Sequence, residues 1–392
     1  MRTAAIICEL NPLHRGHKYL FDEVRRSSDC VIAIMSGSFV QRGEPAILDK
    51  YTRAEIAVKA GADLVLELPF PWCSASAEFF AAAGTAIAEK TGAESLAFGV
   101  GCEDASVLCR AADFFADPDI EAEIREAAEN DPAISAALLR ERCLKTKLGA
   151  EVGDVLRTPN DILAIEYLRQ IRIHDYHLNP RMIHRLSSDE DPCFCGATQI
   201  RALLREGGAS ASEKYLPCFV YPYISKAMSN GAYAFPDVLQ QIVFQALRAE
   251  FSPYDGPVAE GEGGLMERIR TAAYQSTSPA EMLLSAATKR YTNARIRRVM
   301  LYYLLRVTPK ILREIPTVTT LLAAGERGRA YLSSIRKNPG IHIVTKPADH
   351  RLLTPDELRQ YRYTLNADML YTLCLQNPVP ADSFLKAHPR FP

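Results

Sequence analysis

The strongest constraint on the fold is the alternation of short apolar runs and helix-like segments along residues 1–100. Each apolar run has the continuous hydrophobicity of a strand buried on both faces, and each is followed by residues with helical spacing. This rhythm predicts βαβ units and a parallel sheet. The predicted strands are residues 4–8, 30–35, 64–68 and 95–100, and the predicted helices are residues 17–27, 51–60 and 76–90.

The chain of 392 residues is long enough for two domains. The first predicted domain, residues 1–215, is an α/β domain with a helical insertion at about 104–150, which is rich in Ala, Glu and Arg. Its remaining predicted elements are a helix over 160–170, a strand over 177–186 and a helix over 197–205. The stretch 207–217 (GGASASEKYLP) has the composition of a linker. Beyond it, residues 216–392 are predicted to form a mainly helical domain.

Composition indicates which binding partners and which cellular compartment to expect. The formal net charge is -1, so no global field favours nucleic acid or a membrane surface. The ten cysteines form no disulfide-like framework, which favours a reducing compartment. The N-terminus lacks a signal-peptide pattern, and no stretch approaches the roughly 20 apolar residues of a membrane helix. We therefore expect a cytoplasmic protein without membrane association, and no obligate protein partner is evident.

The sharpest motif is NPLHRGH, Asn11–His17, between the first predicted strand and the first predicted helix. Ligands of open α/β sheets bind outside the carboxyl ends of the strands, and a helix N-terminus there receives phosphate. Gly16 lets a nucleotide approach the backbone, and His14 and His17 offer ring N–H donors to spread phosphate charge. The motif predicts an ATP-using adenylyl-transfer enzyme with a Rossmann-like HxGH nucleotidyltransferase domain.

Other interpretations of the motif are two surface histidines in a polar turn and a zinc site. No acidic or thiol partner stands nearby at helical metal spacing, and Cys193 and Cys195 form a lone CxC pair. We therefore predict no metal bound by protein ligands; magnesium is expected to arrive with ATP. Walker-type GxxxxGKS and GxGxxG loops are both absent from the sequence.

Several blocks of sequence together resemble the tRNA(Met) cytidine acetate ligase family. They are 9–17 (ELNPLHRGH), 35–50 (MSGSFVQRGEPAILDK), 61–69 (GADLVLELP), 98–99 (FG), 158–168, 183–185 (IHR), 197–201 (ATQIR) and 289–292 (KRYT). The resemblance spans nearly the whole chain, and MSGSFVQRGEPA is far more specific than HxGH. The chain departs from the family at Leu13, where an aromatic residue is common, and at Arg15, where a small polar residue is usual. Cys195–Gly196 replaces a serine-containing pair, which affects one possible hydroxyl contact to phosphate.

The resemblance implies a reaction in two steps. Acetate attacks the α-phosphate of ATP and gives acetyl-adenylate and pyrophosphate. The exocyclic amine of the wobble cytidine of elongator tRNA(Met) then attacks the acetyl carbon, and AMP leaves. The amine is a weak nucleophile, so a strongly activated acyl donor is needed, and no covalent enzyme intermediate is required.

The ATP site implied by the motif and the resemblance surrounds the first strand-to-helix turn, with His14 and His17 as catalytic residues. Gly101 would let adenosine lie against the backbone, although an ordinary turn is the alternative. Asn160 is either a helix cap or a nucleotide contact, and Arg185 either a phosphate or adenine contact or a surface ion pair. The predicted ATP contacts are Ile7, Cys8, Glu9, Leu10, Asn11, Pro12, Leu13, His14, Arg15, Gly16, His17, Lys18, Tyr19, Leu20, Gly101, Asn160, Arg185, Thr198 and Arg201.

Two further groups of residues carry predicted binding roles. Topology places the loop after the second strand at the same sheet edge, so Ser36, Gln41, Arg42 and Lys50 are candidates for acetate or pyrophosphate, with a purely structural loop as the alternative. In the helical half, residues 285–313 contain eight Lys or Arg and no acidic residue. That stretch predicts a tRNA contact, with a solvated, ion-paired face as the alternative. Its candidate residues are Lys289, Arg290, Arg295, Arg297 and Arg298, with Tyr291 as the aromatic neighbour.

Three other functions compete with this interpretation. A small-metabolite adenylyltransferase is often a single compact domain, which the helical half argues against. A class I aminoacyl-tRNA synthetase shares the HxGH logic, but the chain has no KMSKS-like loop. A non-catalytic RNA-binding adaptor with a relic nucleotide fold is disfavoured by the intact His14, Gly16 and His17.

Overall fold

The computed structural model describes residues 1–130, 134–186, 192–249, 254, 256–335 and 340–392. Its centre is a sheet of seven strands, accompanied by a small two-stranded hairpin. The strands are β1 (Thr3–Cys8), β2 (Cys30–Ser36), β3 (Phe39–Val40), β4 (Glu44–Pro45), β5 (Leu64–Leu68), β6 (Ser95–Val100), β7 (Asn179–His184), β8 (Val318–Ala324) and β9 (His342–Val344).

The strand order in the sheet is β7-β6-β1-β2-β5-β8-β9, and β3 pairs with β4 outside it. Strands β7, β6, β1, β2 and β5 are parallel, as the alternating pattern predicts. The chain leaves β1 toward β2 on one side and later returns to β6 on the other side. The carboxyl ends of β1 and β6 therefore form the topological switch point at which open α/β sheets bind ligands.

Helices cover both faces of the sheet. The helices are α1 (Arg15–Arg25), α2 (Lys50–Ala60), α3 (Ala77–Lys90), α4 (Ala105–Ala116), α5 (Pro118–Asn130), α6 (Ala136–Leu148), α7 (Ala150–Asp154), α8 (Pro159–Ile173), α9 (Ala197–Gly207), α10 (Tyr221–Asn230), α11 (Pro236–Ala249), α12 (Leu265–Gln275), α13 (Pro279–Ala286), α14 (Asn293–Leu305), α15 (Pro309–Arg313), α16 (Glu326–Ile335) and α17 (Pro355–Cys374). Short 3₁₀ helices lie at Trp72–Ser74, Val155–Arg157, Ala209–Tyr215 and Pro347–Leu352.

The strand side chains divide between two apolar clusters, one on each face of the sheet. On β1, Ala5 and Ile7 belong to the cluster that includes α3 and α8, whereas Ala4, Ile6 and Cys8 belong to the cluster that includes α1 and α2. Both faces of β1 are thus buried, which explains why its sequence is apolar throughout instead of alternating. Burial of both faces fixes the register of the strand whose end carries the HxGH turn.

The second half of the chain is mainly helical, but it also contributes β8 and β9 to the sheet. β8 pairs antiparallel with β5, and β9 pairs parallel with β8. These two strands depart from the mainly helical character that the sequence predicts for 216–392. The sheet therefore crosses the predicted boundary near residue 215, and helices of the second half belong to the same apolar cluster as α3 and α8. The predicted linker contains the 3₁₀ helix Ala209–Tyr215.

The region of the predicted insertion contains α4 to α7, and contacts anchor it to α8. Arg140 of α6 forms ion pairs with Glu121 and Glu166, and the Arg169 guanidinium donates to the carbonyl oxygen of Phe115. Among the described residues, no helix is long and apolar enough to cross a bilayer.

Candidate active site

The HxGH turn is organised by the two histidines themselves. His14 is the N-cap of α1, and its Nδ1 accepts the Gly16 N–H at 3.1 Å. His17 reaches back, and its Nδ1 accepts the His14 N–H at 3.3 Å. The pair forms a capping box, in which two backbone donors at the helix start are satisfied reciprocally. Histidines therefore fill positions that Ser or Thr and Glu usually occupy.

These hydrogen bonds determine which ring nitrogen carries the proton. An Nδ1 that accepts a backbone N–H holds a lone pair, so each neutral ring carries its proton on Nε2. Burial, followed by the charge of Arg185, lowers the pKa of His14 to about 3. Burial, followed by the His14 and Arg185 charges, lowers the pKa of His17 well below its ordinary value. Both rings are therefore neutral Nε2–H donors near pH 7.

Gly16 has a second role that the sequence did not reveal. A Cβ built on Gly16 would lie 3.1 Å from Cε1 and 3.2 Å from Nδ1 of His14. A side chain there would push the His14 ring away from the Gly16 N–H. The glycine thus keeps the histidine pair in place in addition to opening the backbone to a ligand.

Arg201 ties α9 to the HxGH turn. Its guanidinium donates to the carbonyl oxygen of Asn11 at 2.8 Å and to Oγ1 of Thr198 at 3.3 Å. The Asn11 side chain accepts the Ile47 N–H at 2.8 Å, so the same turn also holds the loop before α2. Arg201, and Thr198 through it, is therefore linked to the turn that carries the histidines.

Gly101, Asn160 and Arg185 meet at the other side of the switch point, at the carboxyl ends of β6 and β7. The Arg185 guanidinium donates to Oδ1 of Asn160 at 3.3 Å. The stem of Arg185 lies against Gly99, since a Cβ added to that glycine would be 3.0 Å from Arg185 Cγ. The N-cap of α8 is Thr158, so Asn160 is not the cap. Its amide is accordingly available to pair with Arg185.

Asp161 is the residue of this region that sequence reasoning missed. Its Oδ1 accepts the N–H groups of Gly101 at 2.8 Å and Cys102 at 3.3 Å, and its Oδ2 accepts the Thr158 hydroxyl at 2.5 Å. The carboxylate therefore fixes the turn after β6 against the first turn of α8. An acidic residue shortly after Thr158–Pro159 was the available signal, since carboxylates are favoured in the first turn of a helix.

The remaining predicted ATP contacts fall into three groups. Five are buried in β1 and the turn that follows it: Ile7, Cys8, Leu10, Pro12 and Leu13. Burial raises the pKa of the Cys8 thiol to about 12, so it remains a neutral packing group. Tyr19 and Leu20 line a shallow depression together with Gly99 and Arg185. Arg15 and Lys18 point elsewhere, toward the Lys214 carbonyl and the Asp22 carboxylate.

The loop after β2 joins the site through Glu9. The Glu9 Oε1 accepts the Gln41 N–H at 2.7 Å, and burial raises the pKa of the Glu9 carboxyl. Arg42 beside it is exposed. Arg53, a buried residue that the sequence did not flag, donates to the carbonyl oxygens of Glu9 at 2.7 Å and Ser36 at 3.0 Å. The Ser36 hydroxyl is buried without a hydrogen-bond partner among the described residues.

The contacts of Lys50 do not match the role predicted for it, which was to bind acetate or pyrophosphate. It is 2 % exposed, and its Nζ lies 2.8 Å from Glu67 Oε1 and 2.7 Å from Asp368 Oδ2. Burial favours its neutral form, but the Asp368 and Glu67 charges outweigh burial and hold the pKa of Lys50 well above its ordinary value. The ammonium is engaged between α2, β5 and α17, so its contacts give no support to a role in binding acetate or pyrophosphate.

The predicted tRNA contacts in the second half of the chain also fall into groups, and the first group is engaged with the protein. Arg297 pairs with Glu44 at 2.9 Å, Arg298 with Glu260 at 2.6 Å, and Arg295 donates to the Glu260 carbonyl oxygen. These three side chains contact groups of the protein itself, in β4 and in the segment 256–264.

Lys289 is exposed and Arg290 half-buried, at the start of the same stretch. Within the described part of the chain, neither side chain has an ion pair. Tyr291 is 7 % exposed, and its hydroxyl donates to the Gly263 carbonyl oxygen at 2.5 Å. It belongs to the core and does not present a ring to a base.

Paired HxGH histidines at the switch point of a parallel sheet define a nucleotidyltransferase class, and comparison with known proteins agrees. The chain belongs to the HIGH Nucleotidyl Transferase family, whose model matches residues 1–383. Within it, the chain belongs with the tRNA(Met) cytidine acetate ligases. The one from Caldanaerobacter subterraneus subsp. tengcongensis is 33% identical over 393 residues, covering 96% of each protein. That of Acetivibrio thermocellus is 30% identical, covering 100% of this chain and 98% of the relative.

A solved structure is similar over the whole chain as well. Thermotoga maritima TmcAL bound with alpha-thio ATP has a TM-score of 0.91 and 26% identity, and the match covers 100% of this chain and 99% of that one. The helical half is therefore included in the likeness, together with β8 and β9. The Rossmann-like fold and the family resemblance are both confirmed.

Proposed function

We propose that this enzyme activates acetate with ATP and transfers the acetyl group to the exocyclic amine of the wobble cytidine of elongator tRNA(Met). In the first step, an acetate oxygen bonds to the α-phosphorus of ATP, and pyrophosphate leaves. In the second, the amine nitrogen bonds to the acetyl carbon, the bond from that carbon to the phosphate oxygen breaks, and AMP departs. The amine loses one proton, so the product is N-acetylcytidine.

The observation that carries the proposal is the His14–His17 pair, two neutral Nε2–H donors fixed by backbone hydrogen bonds at a helix N-terminus. Donors that need no reorganisation stabilise the charge that develops as pyrophosphate leaves. Similarity to named ligases over almost the whole length, and to a relative solved with alpha-thio ATP, supports the same nucleotide.

The other site residues surround that pair. We assign Thr198 and Arg201 to the β- and γ-phosphates, because hydroxyl and guanidinium groups suit phosphate oxygens. Arg185, Asn160 and Gly101 are assigned to the adenosine side, next to the depression lined by Tyr19 and Leu20.

Acetate is the second small substrate of this proposal. We assign its contacts to Ser36, Gln41 and Arg42, at and after the end of β2. The loop after β2 is hydrogen-bonded to Glu9 at the end of β1. The buried, unpartnered Ser36 hydroxyl is consistent with a small polar ligand near it.

We propose that magnesium binds together with ATP. Among the described residues, no three His, Cys, Asp or Glu side chains gather as a ligand set. Mg²⁺ commonly keeps several waters and binds through substrate phosphates, so the ion does not require such a set. The residues fit this mode, with the triphosphate as the main ligand. We place the reaction in the cytoplasm, where tRNA and ATP meet.

The test is exchange of labelled pyrophosphate into ATP, measured with acetate and with other small carboxylic acids, with and without tRNA. We expect acetate-dependent exchange without tRNA, and acetylation of tRNA(Met) on cytidine when it is added. Exchange with a phosphorylated metabolite in place of acetate would indicate a small-metabolite adenylyltransferase. RNA binding without any exchange would indicate a non-catalytic adaptor.

A further inference from the structure

A cavity of about 480 Å³ lies on the carboxyl-terminal edge of the sheet, apart from the HxGH turn. Three layers enclose it: the N-terminus of α3, the insertion helices with α8, and the α14–α15 region of the second half. α3 follows the end of β5, and α8 is held to the end of β6 by Asp161. Ligands of open α/β sheets bind at this edge, and the volume is that of a small-molecule pocket.

The cavity is joined to the nucleotide site by a short chain of contacts. The Gln41 N–H donates a hydrogen bond to the Glu9 carboxylate at the end of β1. Two residues further on, Gly43 packs against α14 so closely that an added Cβ would lie 2.7 Å from the Arg298 backbone nitrogen. Arg298 lines the cavity, and its partner Glu260 accepts the Ser76 N–H at 3.0 Å. The loop between β3 and β4 thus contacts both the end of β1 and the helix that lines the cavity.

The lining carries no net charge but many polar groups. It contains four carboxylates and four guanidinium groups, together with apolar walls that include Phe79, Phe115 and Ile165. A balanced lining gives no net attraction to a free anion such as acetate or triphosphate. A neutral, flat group with donor and acceptor edges suits it better. The charged lining residues are Glu78, Glu166, Glu260, Glu262, Arg140, Arg295, Arg298 and Arg313.

Three of those charges are less engaged than the others. Glu262 has an ion pair with Arg295 at 4.0 Å, and 57 % of its side chain is exposed. Glu78 has one ion pair, with Arg169 at 3.5 Å, and 45 % of its side chain is exposed. Arg313 is the lining arginine for which the described residues provide neither an ion pair nor a hydrogen bond, and it is exposed. The cavity therefore presents two open acceptors, Glu78 and Glu262, and one open donor, Arg313. Of the two acceptors, Glu78 is the one whose neighbour in the chain is an aromatic residue of the lining, Phe79.

We propose that this cavity receives the cytidine of the RNA substrate as an unstacked base, with Glu78 accepting from its exocyclic amine and Arg313 donating to its carbonyl oxygen. The inference rests on the proposed function. A carboxylate that accepts from the cytosine amine is a known mode of base recognition, and half-buried Phe79 offers a ring for stacking. Uridine carries a carbonyl oxygen where cytidine carries the amine, so Glu78 would repel it.

Glu78 is also placed to take the proton that the amine loses. The lone pair of the amine attacks the acetyl carbon, AMP leaves with the electrons of the broken bond, and the amine proton passes to the carboxylate. Burial, followed by the charge of Glu166, raises the pKa of Glu78, which makes the carboxylate a better base.

The experiment compares Glu78→Gln and Arg313→Gln with the wild-type chain. Binding of cytidine and uridine nucleosides is measured by NMR, acetyl transfer to tRNA(Met) in a single turnover, and acetate-dependent pyrophosphate exchange separately. We expect each variant to lose about tenfold or more of the cytidine preference and of the transfer rate, with exchange unchanged. Glu126→Gln and Arg125→Gln, exposed positions of α5, are the matched controls and should match wild type in all three measurements.

Each outcome decides the assignment. Unchanged cytidine preference and transfer in Glu78→Gln and Arg313→Gln would overturn it, and so would loss of exchange together with transfer. If wild type prefers cytidine through these two residues but neither exchanges pyrophosphate with acetate nor acetylates tRNA, the proposed function fails while the base pocket stands. If wild type acetylates tRNA but its nucleoside binding shows no cytidine preference, the pocket assignment fails alone.

Discussion

The imidazole rings of His14 and His17 lie 3.8 Å apart between their centroids, and each ring uses Nδ1 to accept a backbone N–H of the same turn. One nitrogen of each ring builds the helix start, and the other is left as a donor. Structure and chemistry are therefore carried by different atoms of the same side chain, and suitable substitutions separate them.

Replacing His14 by asparagine should separate the two roles. Asparagine is a favoured N-cap, so His14→Asn should fold with nearly unchanged stability, whereas His14→Ala should lose about 1 kcal/mol of stability. Both variants lack the Nε2–H donor, and acetate-dependent pyrophosphate exchange should fall roughly a hundredfold or more. Denaturant unfolding and exchange rates on the same preparations measure the two effects. Normal exchange in His14→Asn would remove His14 from the catalytic site.

The same residue should make the protein sensitive to acid. The pKa of His14 is about 3 in the folded chain, against an ordinary value of 6.5. The unfolded chain therefore takes up a proton that the folded chain refuses, and the contribution to stability is lost as the pH falls from 6.5 toward 3. At pH 5 the loss is about 2 kcal/mol.

Urea unfolding of wild type and His14→Asn at pH 7.5 and pH 5 checks this dependence. The free energy of unfolding of wild type should drop by about 2 kcal/mol more than that of the variant, since asparagine does not titrate. An equal drop in both proteins would mean that the folded protein admits the proton at His14.

Much of this site was accessible from the sequence, because local patterns specified it. β5 and β6 begin and end at the predicted residues, and the HxGH turn lies at the end of β1 as expected. The Thr198–Arg201 contact follows from the helical spacing of the ATQIR block. Such features depend on neighbours along the chain, which spacing and periodicity describe.

The features that were missed depend on contacts between distant segments. β8 joins β5 from the far half of the chain, and Asp368 reaches Lys50 from the last helix. Arg297 and Arg298 were interpreted as an open basic face because their acidic partners, Glu44 and Glu260, lie outside the basic stretch. A single sequence indicates charges, but only the fold determines which of them are already paired.

Lys50 provides a direct test of that distinction. Lys50→Met would leave Glu67 and Asp368 buried without their cation, and breaking such a pair costs about 3–5 kcal/mol. We expect that loss in the free energy of unfolding, with no change in the KM for acetate of the protein that remains folded. Lys59→Met on the same helix, whose side chain is 43 % exposed in its pair with Glu55, should change stability by at most about 1 kcal/mol. A stable Lys50→Met protein with a raised acetate KM would restore the substrate role.

The last prediction concerns tRNA and starts from the basic residues that remain open. Lys289→Gln and Arg290→Gln should weaken tRNA binding and lower the salt slope of the binding constant by about 1 for each phosphate that is no longer neutralised. Pyrophosphate exchange without tRNA should be unchanged. Stability should change by at most about 1 kcal/mol, because neither side chain has an ion pair among the described residues and the Arg290 guanidinium contacts the Tyr291 ring, 5.2 Å from its centroid. Binding measured from low to moderate salt gives the slope.

Arg298→Gln should behave differently from these two variants. The substitution breaks the ion pair between Arg298 and Glu260, and both of these side chains are largely buried. The free energy of unfolding should therefore fall along with tRNA binding. Lys226→Gln, an exposed position on α10, is the control for removal of a charge as such. If Lys289→Gln and Arg290→Gln bind tRNA with the wild-type slope, the start of the stretch is only a solvated face. If Arg298→Gln lowers the slope without loss of stability, Arg298 exchanges Glu260 for RNA phosphate on binding.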